Sequence, residues 1–345
     1  MSSPILGVYG QETLFQMKRD LYWDSLKFVL IFLVVYGHTI ESYAPNGSVN
    51  RATYTFLYVF HMPLFIFISG RFSQIKNKRK YILGILRILE TYILFQVIWG
   101  LIIWSVSKSS FSFVSLLMWP NWTLWYLLSL VYWRIMVVMI PRKIIDDRPL
   151  SILVACFFIS ILSGLIPVGA QFSLQRTMAF MPFFFMGYYS TKIDIMKYIN
   201  RIPIKVAIIL IVFVYILIYF KLNFNITYIT NSSTPYISIS SMSSFLCCFA
   251  RGGLLVLAII LSMMVMRIVR SHSYISNWGA KTLVIYMFHS FAIKVINVFI
   301  SRGYIPQNEV LLFVYAVIIT LILAFLSQFK LFYVLLNPIG HFFHK

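Results

Sequence analysis

The chain has 345 residues, of which 60% are hydrophobic and only 11% charged, against about 25% charged in an ordinary soluble domain. Its 29 basic residues outnumber 9 acidic ones, but they sit in short loops between apolar runs, the footprint of membrane-facing loops and not of a nucleic-acid surface. The three cysteines, Cys156, Cys247 and Cys248, all lie in apolar runs and define neither a disulfide framework nor a metal site.

The apolar runs reach about 17–25 residues, the length that crosses a bilayer. The chain therefore reads as an all-α membrane protein with about ten transmembrane helices, since in lipid only helices or closed barrels satisfy the backbone. Residues 1–18 form a short cytoplasmic segment without a basic n-region or cleavage site, so no signal peptide is expected. Lys18 and Arg19 place this end in the cytoplasm. The first span is expected over Leu21–Tyr43 and the second over Tyr54–Ser73. The basic loop QIKNKRK lies inside, before a third span over Tyr81–Val106. An outer segment with Trp119, Pro120 and Trp122 leads to the fourth, Thr123–Ile140. The fifth and sixth follow at Leu150–Ile166 and Arg176–Thr191, and KIDIMKYINRIPIK reads as an interfacial helix on the inner side. The seventh span is Val206–Phe220, and the polar stretch 221–241 is the main outer loop. The eighth is Phe245–Met266, RIVRSHSYISNWGAK is an inner loop, and the last two are Thr282–Ile300 and Val310–Leu331. Most basic residues fall on the inner side, and both termini are cytoplasmic. One integral-membrane domain, 1–345, accounts for the whole chain, without a soluble domain.

Polar residues inside such spans are the candidates for function. Asp24, Lys27 and His38 share the first span. Three turns of helix take nearly eleven residues, so Lys27 and His38 lie on almost one face, roughly 16 Å apart along the axis. Lys27 sits near one membrane surface and His38 beyond the middle, which suggests a path rather than an anchor. Glu41 and Ser42, one turn on, are placed to orient His38, and a neutral imidazole is the usual general base near neutral pH. Arg71 and Arg87, near the inner ends of the second and third spans, would join Lys27 in a cation cluster suited to phosphates if the helices are neighbours. Snorkelling to lipid headgroups is the competing role. His61 and His289 also fall within spans, as hydrogen-bonded packing residues or as substrate contacts. Trp122 and Trp125 fit either an interfacial aromatic belt or a stacking platform for a sugar ring. Arg176 stands where it can meet an acceptor, and Arg251 is deep in the eighth span with no partner legible. Ser69-Gly70 ends the second span where glycine permits close helix approach.

At these residues the chain resembles the membrane-bound acyltransferase family 3. The resemblance runs through WDSLKFVLIFLVVYGH, with ten residues between Lys27 and His38, and through FHMPLFIFISG (Phe60–Gly70) and NWTLWYLLSL (Asn121–Leu130). It continues through PFFFMGYY (Pro182–Tyr189) and WGAKTLVIYMFH (Trp278–His289), in family order over nearly the whole chain. It is most similar to the fucose 4-O-acetylase-like branch. The resemblance implies transfer of an acyl group, usually acetyl from cytosolic acetyl-CoA, to a hydroxyl of a cell-surface or periplasmic glycan or glycolipid, at the cell (inner or plasma) membrane and without a metal. Carried over, His38 would be the catalytic histidine, with Lys27 contacting the donor and Asp24 on the same stripe. Arg71, Lys80 and Arg87 would bind CoA phosphates, and His61, Trp122, Trp125, Arg176 and His289 would meet the acceptor. Lysine stands here where arginine is also common in the family. Some relatives carry a soluble esterase-like domain; this chain would transfer directly or use a partner protein. A transporter or flippase for a lipid-linked sugar or small solute is the competing class, although no inverted repeat is visible.

Overall fold

A computed structural model describes residues 20–45, 48–107, 112–221, 225–239 and 242–336. The expected cytoplasmic segment 1–18, with Lys18 and Arg19, lies outside the described residues. Among those described, the chain is helical without strands. In order the helices are α1 Leu21–Glu41, α2 Val49–Arg71, α3 Lys78–Ser107, α4 Phe113–Met118, α5 Trp125–Met139 and α6 Arg142–Asp147. They continue with α7 Pro149–Leu162, α8 Leu174–Tyr189, α9 Ile195–Ile199, α10 Ile204–Lys221 and α11 Asn225–Asn231. The last are α12 Ser244–Ile268, α13 Ser273–Gly279, α14 Thr282–Ser301, α15 Glu309–Leu326 and α16 Lys330–Leu335.

Helix starts follow local chemistry. Asp20 accepts from the Tyr22 amide at 3.1 Å, Ser48 from Arg51 at 3.1 Å and Asn308 from Leu311 at 2.8 Å. Each side chain satisfies one of the amides that a helix leaves unpaired at its start. Each of the ten stretches expected to span coincides with a helix. Six are long and apolar enough to cross a membrane: α1, α2, α3, α12, α14 and α15. The other four positions hold α5, α7, α8 and α10.

α1 and α2 pair at the centre of the bundle. α8, α12, α10 and α11 close around α2, while α13, α14 and α15 close around α1. The contact of α2 with α8 depends on two glycines. A Cβ on Gly70 would overlap the Phe184 carbonyl, and one on Gly187 would overlap the Phe67 carbonyl. Backbone therefore meets backbone in both directions, the role expected of Gly70. The outward faces are apolar, with Leu86, Ile93, Phe158, Ile209, Phe213, Phe249, Val256 and Phe325 exposed. Exposed apolar surface of this extent and distribution is what a lipid solvent requires.

Two expected loops are structured. The stretch 221–241 contains α11 and a 3-10 turn, Tyr236–Ser238, and Thr227, Ile229, Thr230, Ser232 and Tyr236 are buried. Its polar side chains could fold inward because they satisfy carbonyls there: Thr230 donates to Thr227 O at 2.9 Å and Tyr236 to Ile161 O at 3.0 Å. Buried polar groups with such partners carry little penalty. The loop before α14 holds α13, which lies on the start of α1. A Cβ on Gly279 would overlap the Asp24 carbonyl, and the Ser25 hydroxyl bonds the His272 backbone on both sides, at 3.0 and 3.2 Å.

Arg251, without a legible partner in the sequence, is only 4% exposed and ties four elements together. It donates to Ala179 O at 2.5 Å, Ile229 O at 3.2 Å, Ser232 Oγ at 2.8 Å and Ser160 Oγ at 3.4 Å. Its partners are carbonyls and hydroxyls from α7, α8 and the α11 segment, and none of these is a carboxylate.

Candidate active site

The candidate residues collect at the two ends of α1. At the His38 end, a small cavity is lined by His38, Glu41, Tyr58, His61, Trp122, Thr123, Trp125, Arg176, Asn231 and Tyr286, among others. Its volume is about 40 Å³, room for a few waters. Only the reacting edge of a larger molecule fits without further opening.

Glu41 organises this end. His38 Nδ1 lies 3.0 Å from Glu41 Oε2. A carboxylate only accepts, so Nδ1 carries the proton and Nε2 presents its lone pair. Trp122 Nε1 donates to the same Oε2 at 3.1 Å and the Tyr54 hydroxyl to Oε1 at 3.4 Å. The Tyr58 hydroxyl is 3.4 Å from His38 Nδ1, and the Trp122 ring stands edge-on to the imidazole at 4.9 Å. Trp122 takes φ 32°, a left-handed conformation that is uncommon for a bulky residue. Ser42, the other expected orienter, is exposed at the end of α1 and does not reach the imidazole.

Two more histidines converge here. His61 lines the cavity and donates its Nδ1 proton to Leu57 O at 2.5 Å. His289 lies behind the lining, its ring 5.5 Å from that of His38, and donates Nδ1–H to Tyr286 O at 2.6 Å. Each imidazole thus presents Nε2 as an acceptor. His289 Nε2 is buried without a protein partner. Among the described residues no three His, Cys, Asp or Glu side chains come together to hold a metal ion.

Trp125 is buried, stacked 5.5 Å from Phe180, and is not part of an interfacial belt. Trp119 is 45% exposed. Arg176 lies 4.9 Å over the Trp125 ring and is held by Asn231 through Nε to the backbone carbonyl at 3.1 Å and Nη2 to Oδ1 at 2.5 Å. Tyr286, on α14, bonds the Thr123 carbonyl through its hydroxyl.

At the Lys27 end, a cleft of about 1070 Å³ opens between α1, α2, α3 and α5. Arg71, Lys76, Lys80 and Arg134 line it, with Gln74, Asn77 and Tyr81. Arg71 sits 4.5 Å over Trp23 and donates to Ser190 O at 2.9 Å. Arg134 donates to Ser73 at 3.2 Å and lies 5.6 Å over Tyr81.

The expected cation cluster is only partly assembled. Asp24 lines the cleft, but Lys27 does not; its ammonium is 2.6 Å from the Asp24 carboxylate and 5.1 Å from the Phe72 ring centroid. Asp24 therefore partners Lys27. Arg87 points outward on α3, exposed and away from the cleft. α3 packs on α5 and through Trp99 on Phe291 of α14, and its first turn sets Lys80 and Tyr81 on the cleft instead.

Sequence reasoning missed Tyr54, Tyr58, Tyr286 and Asn231 at one end, and Lys76 and a role for Arg134 at the other. Tyr54, Tyr58 and His61 recur at helical spacing on α2, a polar stripe that was legible. Asn231 was not, because its segment reads as a loop.

Residues 20–328 match the acyltransferase family 3 profile, described as "Acyltransferase domain". Nodulation protein NolL of Mesorhizobium japonicum (strain LMG 29417 / CECT 9101 / MAFF 303099) is 32% identical over 95 residues, 26% of this chain and 26% of NolL. The chain thus spans about a quarter of the length of this curated relative. No solved structure matches.

Proposed function

The chain belongs to acyltransferase family 3, a multi-pass membrane acyltransferase family, and from that premise we propose that it moves an acetyl group from cytosolic acetyl-CoA to a hydroxyl of a cell-surface glycan or glycolipid. The observation that carries this reading is the His38–Glu41 pair in a small cavity, with a large basic cleft at the opposite end of the same helix.

The donor occupies the cleft. Its phosphates meet Arg71, Lys76, Lys80 and Arg134, the arginines by paired N–H donors and the lysines as point charges. Lys27, held by Asp24, stands at the cleft's edge. The roughly 16 Å from Lys27 to His38 along α1 is within reach of a pantetheine arm, which carries the thioester to the cavity. There Nε2 of His38 takes the proton of the acceptor hydroxyl as its oxygen attacks the thioester carbonyl. Glu41 holds the imidazole and stabilises the cation that forms, as carboxylates do in acyl-transfer triads. The Tyr58 hydroxyl, in the same cavity, faces the oxygen on which charge develops. The C–S bond then breaks, the imidazolium protonates the departing sulfur, and ester and free CoA result.

In this reading α1, α2, α3, α5, α7, α8, α10, α12, α14 and α15 all cross the cell membrane as one domain. Both termini and the Lys27 end face the cytosol, and the acceptor arrives from the other side. Transfer is direct, or completed with a partner protein. The family match favours this reading over a sugar-lipid transporter.

The experiment is release of free CoA from acetyl-CoA by the protein in nanodiscs with the host's glycan and lipid extract, beside His38→Ala. Release by the wild type alone, with label entering glycan, is the expected result. Equal release by a folded His38→Ala protein refutes the role of His38.

A further inference from the structure

The acceptor end holds a charge that the transfer chemistry does not use. Arg176 lines the cavity, fixed on one edge by Asn231 through Nε and Nη2 and stacked over Trp125. Among the described residues its Nη1 has no hydrogen-bond partner. A guanidinium offers five N–H donors in a planar fork, so the end formed by Nη1 and the second Nη2 proton remains to receive a planar or tetrahedral anion. The rim is cationic as well. Lys294 lies 4.8 Å over Trp122 and Arg51 5.9 Å from the Tyr54 ring. Glu41 is the one carboxylate lining the cavity, and it already accepts from His38, Trp122 and Tyr54.

Glu41 lines the same cavity and offsets part of this charge, but it makes no hydrogen bond to the free edge of the guanidinium, and a partly buried cation held this rigidly is costly unless an anion completes it. We propose that Arg176 recognises an anionic group on the acceptor, a carboxylate or a phosphate, adjacent to the hydroxyl that His38 deprotonates. The acceptor is then an acidic sugar residue, or a sugar joined to phosphate. This rests on the acyl-transfer reading for the identity of the hydroxyl, and on Arg176 alone for the anion. The geometry divides the work. The Nε2 acceptors of His38 and His61 meet the hydroxyls of its entering edge, and the Arg176 fork selects its charge. A neutral sugar of the same shape would leave that fork unpaired, the situation in which polar sites discriminate most strongly.

The test is equilibrium binding to the intact protein in nanodiscs of three probes: methyl glucoside, methyl glucuronoside and methyl glucoside 6-phosphate. The wild type is expected to bind at least one anionic probe roughly tenfold or more tightly than the neutral one, the range of a charge-assisted hydrogen bond, and the stronger of the two identifies carboxylate or phosphate. Arg176→Gln removes the fork. Asn231→Asp keeps the arginine and the shape but supplies an internal carboxylate to pair with it, so it serves even if Arg176→Gln does not fold. In each folded variant the ratio of anionic to neutral affinity should fall to about one. Equal affinity for all three probes in the wild type, no binding of either anionic probe, or a preference that survives in every folded variant overturns the inference. His38-dependent CoA release, measured on the same samples, separates the two readings. If release depends on His38 without an anionic preference, only this inference fails. If the preference stands but release does not depend on His38, only the acyl-transfer reading fails.

Discussion

Glu41→Gln gives the sharpest test of how the His38 end works. The substitution keeps the size of the side chain but removes its charge. Glu41 accepts from His38 at 3.0 Å, Trp122 at 3.1 Å and Tyr54 at 3.4 Å. A glutamine has one accepting oxygen and one donating amide, so it cannot accept on both sides. Either the His38 tautomer is lost, or the amide faces donors. Charge-assisted hydrogen bonds contribute about 1.5–3 kcal/mol each, and in a buried catalytic triad the equivalent change lowers kcat by about 10⁴. The Glu41 side chain is 34% exposed, so water screens part of its effect, and a loss of about 2–3 kcal/mol is expected. That is about 30- to 150-fold in kcat. The KM for acetyl-CoA should move little, because the proposed site for the donor's phosphates lies at the other end of α1. The assay is initial-rate CoA release in nanodiscs at saturating donor, with folding checked by thermal melting. If Glu41→Gln keeps its kcat within about threefold of wild type while His38→Ala is inactive, the pairing carries no catalytic weight and the reasoning fails.

Other outcomes follow from the same geometry. Arg71→Ala should raise the KM for acetyl-CoA by roughly tenfold but leave that for acetyl-pantetheine, which lacks the phosphates, unaltered; an equal change with both donors refutes phosphate binding there. Arg87→Ala, on the outer face of α3, should alter neither value. Gly70→Ala sets a methyl against the Phe184 backbone carbonyl, which has no rotamer by which to yield. Overpacking typically costs about 1–3 kcal/mol, and a fall of about 1–4 °C in melting temperature is expected for a chain of this length; an unchanged melting curve would place the close approach elsewhere. Arg251→Met removes the donors on Ala179 O, Ile229 O and Ser232 and should cost roughly 2–4 kcal/mol, read as a lower melting temperature.

Some of this protein was determined by the sequence alone. An apolar run of spanning length has few options in lipid, so the helices could be placed from composition, and all ten expected positions hold one. Helical periodicity likewise put Lys27 and His38 on one stripe and Glu41 within a turn of His38, because such relations lie within a single helix and need no neighbour. Gly70 was legible as a point of close approach, but its partner on α8 was not.

Which helices face one another was not legible, and there the tertiary structure decided. The packing of α3 against α5 and α14 leaves Arg87 outward and brings Tyr81 beside Arg134. Packing also buried Trp125 beneath Arg176. The segment 225–239 reads as an outer loop, since its Asn, Ser and Thr residues look solvated when taken one at a time. Once folded, those hydroxyls find carbonyls and one another, Arg251 finds its donors' partners, and Asn231 reaches Arg176. Hydrogen bonds between residues distant in the chain have no periodicity to betray them, and in a lipid-exposed bundle they are what selects one packing from many equally apolar alternatives.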